Sequence, residues 1–212
     1  MSEIVKVENV TKYFKQEKVL DDVNMSLETG HIYGIVGKNG AGKTVLFKII
    51  AGFIKPSSGK VTVAGKIIGV DRDFPDSLGL IIETPGFLSQ YNAYQNLLYL
   101  ANINNKISKE DVKESIRMVG LDPGSNKKVG KFSLGMRQRL GIAQAIMENP
   151  NLMILDEPMN GLDKKGIEDV KELLLKLKGD GKTILMASHY AEDMEICDEV
   201  FQMEEGKLGD MK

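Results

Sequence analysis

The stretch GKNGAGKT, Gly37 to Thr44, constrains the fold more than any other part of the sequence. It matches the pattern G-x-x-x-x-G-K-[ST] at every fixed position, and this pattern forms a phosphate-binding loop between a strand and a helix. HIYGIV before the loop is typical of a strand, and VLFKIIAG after it is typical of the first turns of a helix. The segment therefore predicts a strand–loop–helix unit that binds a nucleoside triphosphate.

The positions of this loop have separate predicted tasks. Glycines let the backbone curl so that successive N–H groups face phosphate oxygens, and Lys43 reaches the β- and γ-phosphates. The hydroxyl of Thr44 is a predicted Mg²⁺ ligand. The residues expected to contact the nucleotide here are Gly37, Lys38, Asn39, Gly40, Ala41, Gly42, Lys43, Thr44 and Val45.

Two acidic residues follow a second informative segment, the apolar run NLMIL. Such a run is typical of a strand buried in a parallel sheet. Asp156 after it is a predicted Mg²⁺ ligand, and Glu157 is a predicted catalytic carboxylate that polarises the attacking water. Asp-Glu-Pro is also common in turns, so only the preceding phosphate loop favours the catalytic interpretation.

Composition limits the partners and the compartment. The net charge of −2 predicts no attraction to nucleic acid or anionic lipid. The single cysteine, Cys197, cannot form an internal disulfide, so a reducing compartment is expected. The sequence has neither a signal peptide pattern nor an apolar run long enough to span a bilayer. A membrane link is therefore expected to come through another polypeptide.

Hydrophobic periodicity predicts a chain of the α/β class. Alternation over residues 4–10, with further strands at 19–27 and 60–68, predicts an antiparallel layer on the N-terminal side. Helical spacing at residues 92–102 and 109–119 predicts an inserted α-helical subdomain at about 86–148. Buried strands, a helix and a closing hairpin then complete a mainly parallel sheet. We expect residues 1–212 to form one domain with a phosphate-loop NTPase core.

The segment FSLGMRQRL, residues 132–140, predicts a helix that begins after Ser133. By itself this is only a capped helix. Its place between the phosphate loop and LDEP makes the motif order resemble the ATP-binding-cassette (ABC) family of ATPases over nearly the whole chain. SLGMRQ is similar to the family signature LSGGQ, with Leu134 and Met136 as departures. The signature residues expected at the nucleotide are Ser133, Gly135 and Gln138.

Other short segments extend the resemblance. NGLD is similar to the family's D-loop and contains Asp163, while His189 in MASH is similar to the switch histidine. Phe14 in TKYF occupies the place of the aromatic that stacks on adenine, with Tyr13 as the alternative register. Glu83 in LIIETPGF stands where the family usually has the Q-loop glutamine. The resemblance implies that Glu83 faces Mg²⁺ and acts, with Glu157 and His189, in catalysis.

The resemblance also implies a mechanism that needs two cassettes. In the family, each ATP lies between the phosphate loop of one chain and the signature helix of the other. Ser133 and Gly135 would then contact the partner's γ-phosphate, and Asp163 would help the two halves to sense each other. ATP closes the pair and hydrolysis releases it. The second cassette is either another copy of this chain or a related ATPase.

Three functions are compatible with these motifs. The first is the ATP-hydrolysing subunit of a membrane transporter, held by membrane-spanning partners at the cytoplasmic face of the cell membrane. Glu83, the following PGF and SLGMRQRLGIA resemble exporters of the bacitracin and lantibiotic resistance type. The second is a soluble cassette ATPase of DNA repair or translation, against which the absence of long heptad repeats and of a basic surface argues. The third is a non-hydrolysing sensor, which Glu157 and His189 disfavour.

Overall fold

The computed structural model describes residues 2–210, with strands on both sides of a helical segment. The strands are β1 (Glu3–Phe14), β2 (Glu17–Glu28), β3 (Ile32–Val36), β4 (Ser58–Val63), β5 (Lys66–Ile67), β6 (Leu78–Ile81), β7 (Leu152–Asp156), β8 (Thr183–Ser188), β9 (Glu199–Glu204) and β10 (Lys207–Asp210). The helices are α1 (Lys43–Ile50), α2 (Ala93–Asn104), α3 (Lys109–Met118), α4 (Leu134–Ile146) and α5 (Lys164–Gly179). Short 3₁₀ turns occur at Val129–Lys131 and Ala191–Ile196.

The strands form two sheets. The central sheet has the order β10-β9-β3-β8-β7-β6, and its pairs are parallel except for the β9–β10 hairpin. The second sheet has the order β2-β1-β4-β5 and is antiparallel. The predicted α/β class, with a mainly parallel sheet and an antiparallel layer from the N-terminal strands, is confirmed.

The central sheet is buried on both faces, and its strands alternate between two hydrophobic cores. On β7, Leu152 and Ile154 pack in the core shared with the antiparallel sheet and α1, whereas Met153 and Leu155 face the core formed with α2 to α5. β8 alternates in the same way. Because both faces are covered, the strand sequences are continuously apolar, which explains the runs NLMIL and TILMA.

The helical segment α2–α4 lies between β6 and β7 along the chain. Asn92 and Ser108 start α2 and α3 with reciprocal capping boxes, and Ser133 caps α4. Strand β6 was not predicted, because its four residues LGLI are too few to show a period. Its Gly79 lies against α4, where an added Cβ would come within 2.1 Å of the Ala145 carbonyl oxygen. In the described part of the chain, no helix has the length and apolar character needed to cross a membrane.

The loop that joins β3 to α1 is packed between β2 and the C-terminal hairpin. Gly42 has φ 112°, and an added Cβ would lie 2.8 Å from the Leu20 side chain. A Cβ on Gly37 would lie 2.4 Å from the Met203 carbonyl oxygen. The backbone N–H of Gly206 in the hairpin donates to the carbonyl of Ala41 at 3.0 Å. Two separate parts of the chain thus fix the shape of this loop.

The capping box of α3 predicts a pH dependence of stability. The pKa of the Asp111 carboxyl is lowered, chiefly because the carboxylate accepts hydrogen bonds from the backbone and hydroxyl of Ser108. A carboxyl whose pKa is lowered by folding contributes stability above its unfolded pKa, and this is lost as the pH falls through the folded value. We expect Asp111→Asn to melt below the parent at pH 7, with a difference that shrinks from about pH 5 downwards in circular dichroism. Glu172→Gln, which neutralises an exposed carboxylate on α5, is the control, and equal melting of Asp111→Asn and the parent at pH 7 contradicts the expectation.

The loop packing predicts unequal costs for two glycine substitutions. Gly40 and Gly42 both have positive φ, 83° and 112°, but a Cβ on Gly40 would meet no atom within 4 Å. Gly40→Ala should therefore cost only the left-handed strain of about 1–2 kcal/mol in unfolding free energy. Gly42→Ala should cost about 1–3 kcal/mol more, because its Cβ overpacks against β2. Urea unfolding of both variants measures the difference, and equal costs would contradict the packing argument.

Candidate functional site

A cavity of 380 Å³ lies over the loop between β3 and α1. It is lined by residues 36–41, by His189 after β8, and by residues 202–205 of the C-terminal hairpin. Lys38, Asn39 and Gly40 are exposed at its floor. A glycine-rich loop that opens a helix presents backbone N–H groups and the positive end of the helix dipole, so this cavity suits an anionic ligand.

Lys43 places a buried positive charge inside the loop. Its side chain is 6% exposed. Its Nζ donates to the carbonyl oxygens of Gly37 and Lys38, the latter at 3.2 Å, and lies 3.9 Å from Oε1 of Glu157. The ammonium therefore links the phosphate loop to the acidic end of β7.

Thr44 and Asp156 are in direct contact. The Thr44 hydroxyl donates to Oδ2 of Asp156 at 2.6 Å. Burial raises the pKa of the Asp156 carboxyl, and the nearby charge of Glu157 raises it further. Bringing a carboxylate into this site is costly unless a cation offsets its charge.

The oxygens of Thr44 and Asp156 fit Mg²⁺. It is a hard cation that takes oxygen ligands and usually keeps only one or two carboxylates beside water and substrate phosphates. Among residues 2–210, no group of three or more His, Cys, Asp or Glu side chains is arranged to hold a metal ion. Thr44 and Asp156 would supply two oxygens of the octahedral shell that Mg²⁺ prefers.

Glu157 and His189 meet because they follow neighbouring parallel strands. Asp156 on β7 pairs with Ala187 on β8, so the residues after both strands emerge at the same edge. Nδ1 of His189 lies 2.9 Å from Oε2 of Glu157, and an ionised carboxylate at this distance accepts a hydrogen bond from a protonated Nδ1. The ring of Tyr190 packs on His189 with centroids 3.8 Å apart.

Glu83 lies just beyond β6 and pairs with a lysine. It has φ 59°, and Oε1 forms an ion pair with Nζ of Lys48, one turn after Thr44 on α1. Its side chain is 65% exposed. The charge of Glu83 also raises the pKa of the Asp156 carboxyl, although its effect is smaller than that of burial. The sequence did not suggest the pairing with Lys48, because the two residues are 35 positions apart.

The signature segment packs on the D-loop of the same chain. Ser133 is exposed, and its hydroxyl accepts from the backbone N–H of Met136 at 3.2 Å. A Cβ on Gly135 would lie 2.9 Å from the Gly161 carbonyl oxygen. Asp163 is exposed and caps α5 through the backbone N–H of Gly166 at 2.9 Å. None of these residues is among those that line the cavity over the phosphate loop.

Gln138 is buried against the residues that follow β7. Its side chain is 8% exposed, and its Nε2 donates to the carbonyl oxygens of Glu157 at 3.0 Å and Pro158 at 3.1 Å. Helical spacing gives a signal for this burial, because Gln138 shares the inward face of α4 with Ile142 and Ala145. The likeness to LSGGQ concealed that signal.

The aromatic pair at the end of β1 is exposed. Tyr13 is 42% and Phe14 is 45% exposed, and the rings lie under the ammonium groups of Lys18 and Lys12 at 5.8 Å and 5.1 Å. Both belong to the β1–β2 hairpin, whose Leu20 side chain would lie 2.8 Å from a Cβ built on Gly42 of the phosphate loop.

Comparison with known proteins identifies relatives along the whole chain. The ABC transporter family profile matches residues 20–160. The chain is 45% identical over 206 residues to the uncharacterized ABC transporter ATP-binding protein YybJ of Bacillus subtilis (strain 168), with 97% of this chain and 94% of that protein covered. It is 41% identical over 211 residues to the bacitracin transport ATP-binding protein BcrA of Bacillus licheniformis, covering 98% of this chain and 69% of that protein. The lantibiotic transport ATP-binding protein SrtF of Streptococcus pyogenes is 35% identical over 206 residues, with coverages of 97% and 89%.

Solved structures share the fold. The dimeric ATP-binding cassette MJ0796, in a post-hydrolysis state bound to ADP and Pi, superposes with a TM-score of 0.88 over 99% of both chains at 24% identity. The cbiO1 protein of Clostridium perfringens, part of the ABC transporter complex cbiONQ, gives a TM-score of 0.83 at 30% identity over 99% of this chain and 88% of that chain. The chain therefore belongs to the ABC transporter family and is an ATP-binding subunit that hydrolyses ATP.

Proposed function

We propose that this chain is the energy-coupling ATPase of a transporter that exports antimicrobial peptides through separate membrane-spanning subunits. The contact between Glu157 and His189 beside the phosphate loop carries the proposal, because it joins a base to a phosphate-binding cavity. The peptide substrate class is suggested by the names of the relatives, a bacitracin transport protein and a lantibiotic transport protein. The proposal treats residues 1–212 as one cassette with a helical subdomain at about 86–148.

The side chains divide the work of hydrolysis. Lys43 and the loop N–H groups hold the β- and γ-phosphates, and the exposed aromatic at Phe14, or Tyr13, stacks on the base. Glu157 accepts the proton of the attacking water, while His189 orients that carboxylate. Thr44 and Asp156 would hold Mg²⁺, which when bound neutralises phosphate charge as it develops.

A second cassette completes each site. Ser133, Gly135 and Asp163 lie near the N-terminal ends of α4 and α5 and do not line the cavity of their own chain. Ser133 and Asp163 are exposed, and a helix N-terminus attracts anions. We place these residues on the nucleotide of a second copy, or of a related ATPase, so that ATP holds the two chains together.

The membrane partner docks on the outer side of α2. Tyr99 and Ile103 are 64% and 71% exposed there, one turn apart, which is a large apolar surface for a helix. Asn96 of α2 exchanges hydrogen bonds with the backbone of Leu88, in the same loop as Glu83. A movement of α2 would therefore be passed through Asn96 and Leu88 towards the ATP site. Docking to membrane subunits places the chain at the cytoplasmic face of the cell membrane.

Affinity purification tests the transporter assignment. We expect a tagged chain, purified from gentle detergent extracts, to bring with it a membrane-spanning protein that mass spectrometry identifies. The double variant Tyr99→Ser/Ile103→Ser should reduce that recovery without reducing ATP binding. Co-purification with ribosomes or DNA instead would favour a soluble cassette ATPase and overturn the proposal.

The assignment of the base predicts a trapped dimer. Glu157→Gln keeps the shape of the side chain but accepts a proton poorly, so ATP turnover should fall at least about a hundredfold. Because ATP persists, this variant should accumulate as a dimer in size-exclusion chromatography with ATP and Mg²⁺. Adding Ser133→Ala should weaken that dimer, since it removes a predicted contact in trans. Turnover of Glu157→Gln at the parent's rate would show that another group is the base.

Glu83 has a weaker predicted role. It pairs with Lys48 and is largely exposed, so Glu83→Gln should retain substantial ATPase activity. A loss above about a hundredfold, roughly 2.7 kcal/mol of barrier, would contradict a simple coordinating role. Asp156→Asn is the matched control. It makes the same change of charge in a buried carboxyl, and we expect it to lower ATPase activity by more than about a hundredfold. Steady-state phosphate release measures both variants.

A further inference from the structure

The backbone of Glu157 is held in an unusual conformation. Its φ is 51°, in the left-handed region, where a residue with a side chain loses about 1–2 kcal/mol. Its N–H donates to the Ala187 carbonyl at 2.9 Å, which fixes the residue from the β8 side. Its carbonyl accepts from Asn160 N–H at 3.1 Å and from the Gln138 amide at 3.0 Å. The direction of the carboxylate therefore depends on bonds made by its own peptide groups.

Gln138, on α4, holds the backbone of Glu157 from the side opposite to β8. Both hydrogens of its amide are used, because Nε2 donates to the carbonyl oxygens of Glu157 and Pro158. The side chain is 8% exposed, so these two carbonyls would lose a buried partner without it. An amide is the one neutral side-chain group with two donors on a single atom, which matches two adjacent carbonyls.

We propose that Gln138 is a positioning residue that sets the backbone of Glu157, and that it couples the signature end of α4 to the base. The proposal rests on the function proposed above, in which Glu157 is the base and Ser133 meets the second chain's nucleotide. Gln138 follows Ser133, the N-cap of α4, by five positions, a rise of about 7.5 Å. A nucleotide held at Ser133 therefore bears on the same rigid helix that fixes Glu157. Through Gln138, a nucleotide bound at Ser133 would change the orientation of the Glu157 carboxylate, which acts on the nucleotide of its own chain.

Kinetics separate positioning from nucleotide contact. Gln138→Met keeps the volume of the side chain but removes both donors. We expect kcat for ATP to fall about tenfold or more, with KM changed less than about twofold, because the lost bonds act on the transition state. Gln144→Met, on the same helix and partly buried, should leave both parameters near the parent's values. A raised KM with unchanged kcat, or no change in either, would overturn the proposal.

The trapped dimer gives a second readout that does not depend on turnover. Glu157→Gln/Gln138→Met should still form the ATP-dependent dimer expected for Glu157→Gln, because both donors of the Gln138 amide are taken by backbone carbonyls of its own chain. Loss of that dimer, with Gln144→Met as the matched control, would assign Gln138 to nucleotide binding instead. If Glu157→Gln alone fails to dimerise or turns over freely, the proposed function has failed, independently of Gln138. If Gln138→Met does not fold, Gln138→Asn replaces it, since the shorter side chain keeps the amide but cannot reach both carbonyls. We then expect the same result, a lower kcat with little change in KM.

Discussion

The parallel pairing of β3, β8 and β7 is the constraint on which the site depends. In this register Val36 lies beside Ser188, and Ala187 lies beside Asp156, so three strands end together. The residues that follow them are the phosphate loop, His189 and Glu157. A slip of one residue would turn every buried side chain to the other face and would separate these groups. The two hydrophobic cores that cover the sheet therefore also determine the geometry of the chemistry.

Charge is concentrated at this edge and is balanced in pairs. The buried ammonium of Lys43 lies 3.9 Å from Glu157, and Asp156 is held by the Thr44 hydroxyl. Burial disfavours the ionised form of Asp156, which makes the acidic side of the site receptive to a cation and the loop side receptive to an anion. A metal–triphosphate complex satisfies both halves at once.

The architecture could be predicted because its signals are local. Period-two alternation predicted β1, the apolar run NLMIL predicted β7, and helical spacing predicted α2 and α3. The phosphate loop, Asp156 and Glu157 could be proposed from the sequence, because the fixed positions of these motifs are the residues that would contact phosphate, metal and water.

What the sequence concealed is the pairing of distant residues. Gln138 belongs to a recognisable motif, yet its partners are backbone carbonyls 19 and 20 positions away, which no motif encodes. Glu83 likewise finds Lys48 only after β6 and α1 are packed together. Tyr13 and Phe14 are adjacent and both exposed, so neither the pattern nor the fold selects one of them.

The contact between the signature segment and the D-loop has an evolutionary consequence. A Cβ at position 161 would come within 2.5 Å of the Leu134 side chain, and Gly161 has φ 75°. Two independent barriers thus keep glycine there, one of crowding and one of backbone conformation. Shortening residue 134 removes only the first, after which asparagine, which tolerates the left-handed region, becomes admissible. The residues that position 161 can accept are therefore coupled to the size of the side chain at position 134.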